Sequence, residues 1–441
     1  MALGPVAEAF GVHEITAYDT AMVLVLDEAS IPSAQPLPDA QPLPGDGFGP
    51  SLPGGFVQGS RLLQQLSLLS VTDIPHFLES NPAAVRALLA DPPLAADVTA
   101  WWGALDAQHR LRLREASPEL VGNLDGIPFL TRDVANRAML TSTMSELRHM
   151  IETEDGRTVV ENAKMQLRML ESIAGALGTA ESGSTRTLMS LDVTGQGKAA
   201  IVMGDLRTAD YVTYMVPGMF FTIEGQMGYW TDAAARLGDE QRSWLALLGD
   251  DPDGTVATVA WIGYQTPNLT NVGSIDNALE GRDLLAGAIT GLQAVRGSDQ
   301  PYITVIGHSY GSTAALMALT EYDFEVDALA VVGSPGSPAK SVDELHVRDG
   351  NVYVGEAPWD AVPDSAFFGS DPGAASYGAR RFGAVGGVDP ITHEALTSSF
   401  GHIEYFSPGT ESLRNLALIG IGEGMLVTGP DGSAPARILA R

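Results

Sequence analysis

The chain contains no cysteine. Disulfides, zinc–thiolate sites and thiol nucleophiles are therefore excluded. It is also poor in positive charge: 25 Lys and Arg stand against 54 Asp and Glu, a formal net charge of −29. So acidic a chain repels phosphate backbones and anionic headgroups, and neither nucleic acid nor an anionic membrane is an expected partner. No apolar run approaches the ~18 residues of a membrane-spanning helix, so no stable membrane insertion is expected. The first residues, Met1-Ala2-Leu3-Gly4-Pro5, lack the basic start and continuous apolar stretch of a secretory signal, and a cytoplasmic location is expected. Walker, dinucleotide and His-Glu-x-x-His motifs are missing, and no cofactor or metal is expected. Gly249-Asp250-Asp251-Pro252-Asp253-Gly254 comes nearest to a calcium loop. It opens on glycine where the first ligand belongs and has no closing glutamate, so it reads as a turn before a strand.

What is present is a long, glycine-rich and apolar chain: 441 residues, 49 glycines, 27 prolines and 45% hydrophobic residues. At roughly 100–200 residues per domain, two or three units are expected. Proline gathers near the start, where Ala34-Gln35-Pro36-Leu37-Pro38 is repeated as Ala40-Gln41-Pro42-Leu43-Pro44. Residues 1–58 therefore read as an N-terminal segment with a Pro-rich linker, extended by its prolines. Residues 59–185 have helical periodicity, with helices predicted at 61–69, 83–90, 101–115, 134–152 and 159–177. Asn81-Pro82 marks one helix start and Gly178 one helix stop. The pair Trp101-Trp102 reads as packing.

Residues 186–441 read as a catalytic α/β domain. Strand-like runs at 188–193, 199–204, 211–216, 256–263, 302–306, 326–333, 351–355 and 379–385 alternate with helical stretches at 222–237, 276–295 and 312–321. Such alternation implies a mostly parallel sheet covered on both faces, with an antiparallel edge where the first strands crowd together.

The sharpest signal is Thr304-Val305-Ile306-Gly307-His308-Ser309-Tyr310-Gly311-Ser312. A β-branched strand runs into Gly-x-Ser-x-Gly, and an Ala/Leu/Met helix follows at once. This is the sequence form of a nucleophile elbow. With so many glycines about 0.3 chance matches are expected, so the strand before and the helix after carry the assignment.

A serine hydroxyl needs a base, and the base needs an acid that fixes its tautomer. In sheets of this type the order along the chain is Ser, acid, His. His402 is the expected base, because it follows the last strand candidate; His393 is the rival, and His346 precedes a strand and would sit at the wrong end. Asp360, after the run 351–355, is the expected acid, with Glu356 and Asp364 as rivals. The oxyanion donors are expected to be the Tyr310 N–H and, from the bend Val216-Pro217-Gly218-Met219-Phe220-Phe221, the Met219 N–H, with Phe220 as the fallback. His308 is expected to face the packing side with no part in proton transfer.

These residues resemble a bacterial α/β-hydrolase family of the Gly-His-Ser-Tyr-Gly serine-hydrolase type, classed as a domain of unknown function. The resemblance also rests on Gly122-Asn123-Leu124-Asp125-Gly126-Ile127-Pro128, Val216-Pro217-Gly218-Met219, Trp261-Ile262-Gly263-Tyr264, and Gly401-His402 with Tyr405. It implies an α/β-hydrolase fold with a mostly parallel central sheet, preceded by a helical N-terminal region. The expected activity is hydrolysis of a carboxylic ester by Ser309, His402 and Asp360, with no cofactor. Phe220, Phe221 and Trp359, with Phe367, Phe368 and Phe400 nearby, are expected to bind an apolar acyl or aryl group, and residues 367–400 to form a lid. The partner is then a small-molecule ester. Acyl transfer, thioester or peptide cleavage by the same triad, or a non-catalytic binding role for the fold, are the alternatives.

Overall fold

The computed structural model describes residues 54–153, 156–178, 186–249, 251–268, 270–433 and 435. The Pro-rich repeat at 34–44 lies outside them. Helices α1 (Gly54–Leu68), α2 (Ile74–Ser80), α3 (Pro82–Ala90), α4 (Ala95–Ala104), α5 (Ala107–Ala116), α6 (Pro118–Asn123), α7 (Phe129–Thr153) and α8 (Arg157–Leu177) precede the strands. Pro82 and Pro118 open α3 and α6, where the missing N–H breaks no helical bond. The single helix expected over 101–115 is two, because the Asp106 carboxylate accepts from the Gln108 and His109 N–H groups and starts a new one. Trp102 is buried among α1–α6, and the Trp101 indole N–H donates to the Leu63 carbonyl at 2.8 Å.

The strands are β1 (Arg186–Asp192), β2 (Lys198–Met203), β3 (Tyr211–Val216), β4 (Val256–Ile262), β5 (Tyr302–His308), β6 (Ala328–Val332), β7 (Val352–Gly355) and β8 (Arg380–Phe382). They form one sheet in the order β1-β2-β4-β3-β5-β6-β7-β8. β2 runs antiparallel to both β1 and β4, and every other neighbouring pair is parallel. The strands are apolar on both faces because both faces are covered. In β6, Ala328, Ala330 and Val332 join the core beneath α9 (Ile223–Leu248) and α12 (Glu411–Gly420), while Leu329 and Val331 join the core beneath α10 (Asp276–Arg296) and α11 (Tyr310–Glu321). Residues 367–400, expected as a lid, supply β8 and a small hairpin of β9 (Gly387–Val388) and β10 (Ala395–Leu396). A buried ion pair from Asp389 to Arg414 of α12, at 2.8 Å, ties that hairpin down.

The helices at 54–177 do not merely neighbour the sheet; they finish its open edge. An edge strand leaves every second backbone N–H and C=O unpaired. On β1, Asn123 donates to the Leu191 carbonyl at 2.9 Å and accepts from the Leu191 N–H at 2.8 Å. Asp133 accepts from the Leu188 N–H at 2.7 Å, and Asn136 donates to the Leu188 carbonyl at 3.0 Å. Asn136 also donates to the Gly122 carbonyl at 3.0 Å, and a Cβ at Gly122 would collide with it. Residues 122–136 thus supply a polar clamp between helices and sheet. Among the described residues, no helix is long and apolar enough to cross a membrane.

Candidate active site

β5 delivers Ser309 to the carboxyl edge of the sheet. Its backbone is strained, with φ 53° and ψ −132°, and α11 begins at the next residue. A non-glycine residue held in such a region costs on the order of 1–3 kcal/mol, which the surroundings must impose. They do so through close contacts that only glycine permits. A Cβ at Gly307 would lie 2.6 Å from the Ser312 Cα, and one at Gly311 would lie 2.3 Å from the Pro217 carbonyl oxygen. The Ser309 N–H donates to the Val332 carbonyl at 2.9 Å, so the turn is also fastened to β6.

The structure brings Ser309, His402 and Asp360 together. The Ser309 Oγ lies 2.6 Å from His402 Nε2, and His402 Nδ1 lies 2.9 and 3.0 Å from the two Asp360 oxygens. All three side chains are buried. Burial alone would raise the Asp360 carboxyl. The adjacent His402, the Tyr405 hydroxyl donating at 2.7 Å and the Val362 N–H donating at 3.0 Å hold it below the usual carboxylate range instead. The rivals lie elsewhere. Glu356 pairs with Arg381, and burial raises its carboxyl. Asp364 is exposed in a short 3-10 turn, and His393 is exposed with φ 63°. His346 shares a 2.6 Å hydrogen bond with the Tyr322 carbonyl, beyond the carboxyl end of α11.

Two contributors escaped the sequence reading. Gly333, just after β6, has φ 57°, and a Cβ there would sit 2.8 Å from Asp360 Oδ2 and 2.9 Å from His402 Cε1. The run Val332-Gly333-Ser334-Pro335-Gly336 at a strand's carboxyl end was the available signal. Tyr405, quoted only for its resemblance, is fully buried and links both ends of the acid loop: its oxygen accepts from the Ala357 N–H at 2.8 Å while donating to Asp360.

The bend after β3 packs on the serine. A Cβ at Gly218 would lie 2.5 Å from the Ser309 Cβ. Tyr264 donates to the Pro217 carbonyl at 2.7 Å and steadies the bend. The Phe220 N–H donates to the Pro267 carbonyl at 2.9 Å and is therefore occupied. The Met219 N–H has no acceptor among the described residues. The Tyr310 N–H belongs to the first turn of α11, where backbone donors have no intrahelical acceptor.

The aromatic residues divide. Trp359 is 83% exposed at φ 66°, and its ring centre lies 6.5 Å from that of Phe400, itself 56% exposed. These two rings stand on the loops that carry Asp360 and His402. Phe220, at φ 61°, is half-buried over the α10 side of the sheet. Phe221 points the other way, into the core, 4.9 Å from Trp230. Phe368 packs edge-on to Tyr310 at 5.2 Å and to Phe367 at 4.9 Å. A separate cavity of about 450 Å³ lies at the seam between the helices and β1. Arg132, Asp125, Met189 and Trp261 are among its walls, and none of Ser309, Asp360 or His402 is.

Fold and elbow define the class: this is an α/β-hydrolase-fold protein, and its residues 192–370 match the alpha/beta hydrolase family model. That match contains Ser309 and Asp360 and ends before His402. An uncharacterized protein of Mycobacterium tuberculosis is 27% identical over 383 residues, which cover 75% of this chain and 56% of the relative. The chain thus spans little more than half the length of that curated relative. An uncharacterized Mycobacterium bovis protein is 27% identical over 179 residues, 40% of this chain and 67% of the relative. Among solved structures, similarity extends to a Pyrobaculum calidifontis esterase, at 14% identity and a TM-score of 0.33 over 65% of this chain and 98% of that one. It extends also to a dienelactone hydrolase of Anabaena variabilis, at 13% identity and a TM-score of 0.32 over 55% and 98%.

Proposed function

We propose that this protein is a serine hydrolase that cleaves a carboxylic ester through an acyl-enzyme. The observation that carries the reading is the continuous hydrogen-bonded path from Ser309 Oγ through both nitrogens of His402 to Asp360. Such an arrangement turns a weak nucleophile into a reactive one. Ser309 Oγ attacks the acyl carbon while His402 Nε2 takes its proton. The carbonyl π electrons move to oxygen, and the Met219 and Tyr310 N–H groups receive the resulting negative charge. Loss of one such donor typically costs ~3–4 kcal/mol of transition-state stabilisation. The tetrahedral adduct collapses, the C–O bond to the alcohol breaks, and His402 gives its proton to the departing oxygen. Water then repeats the sequence on the acyl-serine and releases the acid. Asp360 keeps Nδ1 protonated and stabilises the imidazolium without itself taking a proton.

The exposed Trp359 and Phe400 rings support an apolar acyl or aryl group on the substrate. Their loops hold the acid and the base, so a ligand resting on them lies beside the reacting atoms. Phe221, expected as an acyl-binding residue, packs on Trp230 in the core and is no part of this rim.

The test is covalent labelling. A fluorophosphonate probe is expected to modify the wild type at Ser309 and to leave Ser309→Ala unmodified, and a panel of p-nitrophenyl esters should give turnover only with the serine. Equal turnover by Ser309→Ala, or labelling at another residue, would refute the reading.

A further inference from the structure

We infer that His308 is a positioning residue, a strut that binds the nucleophile's own strand to the loop carrying His402 and so sets the separation of Ser309 from its base. The inference rests on the serine-hydrolase reading above. His308 closes β5 immediately before Ser309, and its Nε2 lies 2.7 Å from the His402 carbonyl oxygen. A carbonyl only accepts, so the imidazole carries its proton on Nε2. Nδ1 is then bare, and it is buried with no partner among the described residues. An unsatisfied buried acceptor is unfavourable, whereas a phenyl ring would fill the same space with no polar atom to satisfy. What the imidazole supplies, and a phenyl could not, is this one bond to the base loop.

Aromatic rings surround the imidazole. Its centre lies 4.9 Å from that of His402, 6.0 Å from Tyr405, 6.0 Å from Phe406, 6.3 Å from Phe221 and 6.5 Å from Trp230. The ionisable groups facing it are His402, Asp360 and Tyr405. Burial, with His402 beside it, lowers its pKa to about 3, against the lesser opposing effects of its bond to the His402 carbonyl and of Asp360. A neutral ring matters here, because a cation at that distance would oppose the imidazolium that His402 must become. Asp360 aims the His402 ring; His308 anchors its backbone. The neighbouring Gly401, at φ 66°, donates its N–H to the Pro358 carbonyl at 3.0 Å. Without the strut the backbone of the base loop loses this anchor, and a displacement of the base near 1 Å costs on the order of a hundredfold in rate.

The test compares the full chain with His308→Phe, which keeps a ring and loses the donor, and His308→Gln, which keeps an N–H of similar reach. On p-nitrophenyl butyrate, His308→Phe is expected to keep KM within about threefold and to lower kcat by ~30–100-fold, slowing fluorophosphonate labelling in proportion. His308→Gln should recover most of that loss. If His308→Phe does not fold, His308→Met takes its place. A glutamine variant no better than phenylalanine, or kcat unchanged in the folded fraction of His308→Phe or of the methionine variant that replaces it, would overturn the strut. A wild type that the probe does not label sinks the hydrolase reading instead. One readout is independent of turnover: ¹⁵N resonances of the His308 ring in Ser309→Ala should show the proton on Nε2, and a proton on Nδ1 would overturn the inference.

Discussion

Compare two parts of this molecule that join distant elements through polar side chains: they use them differently. At the seam, Asn123, Asp133 and Asn136 turn their polar atoms to the backbone of β1. At the carboxyl edge, Ser309, His402, Asp360 and Tyr405 turn theirs to one another. The backbone tells the same story. Among the described residues, the non-glycine residues with positive φ are Phe220, Ser309, Asp349, Trp359, Ala366 and His393, and none belongs to α1–α8. Phe220, Ser309 and Trp359 stand in or beside the site. The seam closes an edge without a non-glycine residue at positive φ; the site holds strained residues whose polar atoms face one another. Substitutions should therefore separate cleanly, with seam changes lowering stability and site changes lowering rate.

The largest expected effect is at the acid. Asp360→Asn keeps the shape but favours the wrong His402 tautomer, and kcat should fall about 10⁴-fold with KM little changed. Steady-state kinetics with p-nitrophenyl butyrate measure this, and a loss below tenfold would break the assignment of the acid. Gly333→Ala comes next. Its methyl would meet Asp360 Oδ2 at 2.8 Å in a left-handed backbone, so kcat should drop by about a hundredfold. A normal rate would show that the acid loop gives way freely. At the seam, Asn136→Ala leaves the Leu188 carbonyl without its donor and the Gly122 carbonyl with Arg132 Nε alone. The expected cost is about 2–3 kcal/mol in urea denaturation, with kcat/KM of the folded protein within about threefold of wild type. A fall in kcat/KM alongside stability would mean that the two parts are coupled.

The most diagnostic effect is that of pH on stability. His308 falls from 6.5 to about 3 on folding, so the unfolded chain binds its proton more readily. The stability this neutral ring contributes is full above the unfolded value and is lost as pH falls toward the folded one. Between pH 7 and pH 4 the wild type should lose about 3 kcal/mol from this residue, and His308→Phe should lack that slope. The depressed Asp360 carboxyl adds a further loss to both proteins, mainly below about pH 4. Urea midpoints at pH 7, 5 and 4 compare the two. Parallel curves would mean that His308 is accessible to protons.

The elbow was legible because its chemistry is local. Strand, bend and helix adjoin in the chain, and the glycines at 307 and 311 sit at fixed offsets from the serine. The sheet was legible for a similar reason, since strands covered on both faces must be apolar at successive positions. The helical stretch was harder. Its break at Leu105-Asp106 depends on a carboxylate turning back to two N–H groups, a choice that the apolar period does not record.

The amino-acid sequence by itself determined the architecture, the serine at the strand end, and a short roster of acids and histidines to accompany it. It did so because periodicity, turn chemistry and chain order are properties of neighbours. Only the tertiary structure decided which of those groups meet. It put His402 and Asp360 beside Ser309, set Gly333 and Tyr405 around the acid, turned Phe221 inward and Trp359 outward, and closed β1 with side chains from 52 to 68 positions away. Contacts between residues so far apart depend on how strands register and helices pack, and no short stretch of sequence carries that information.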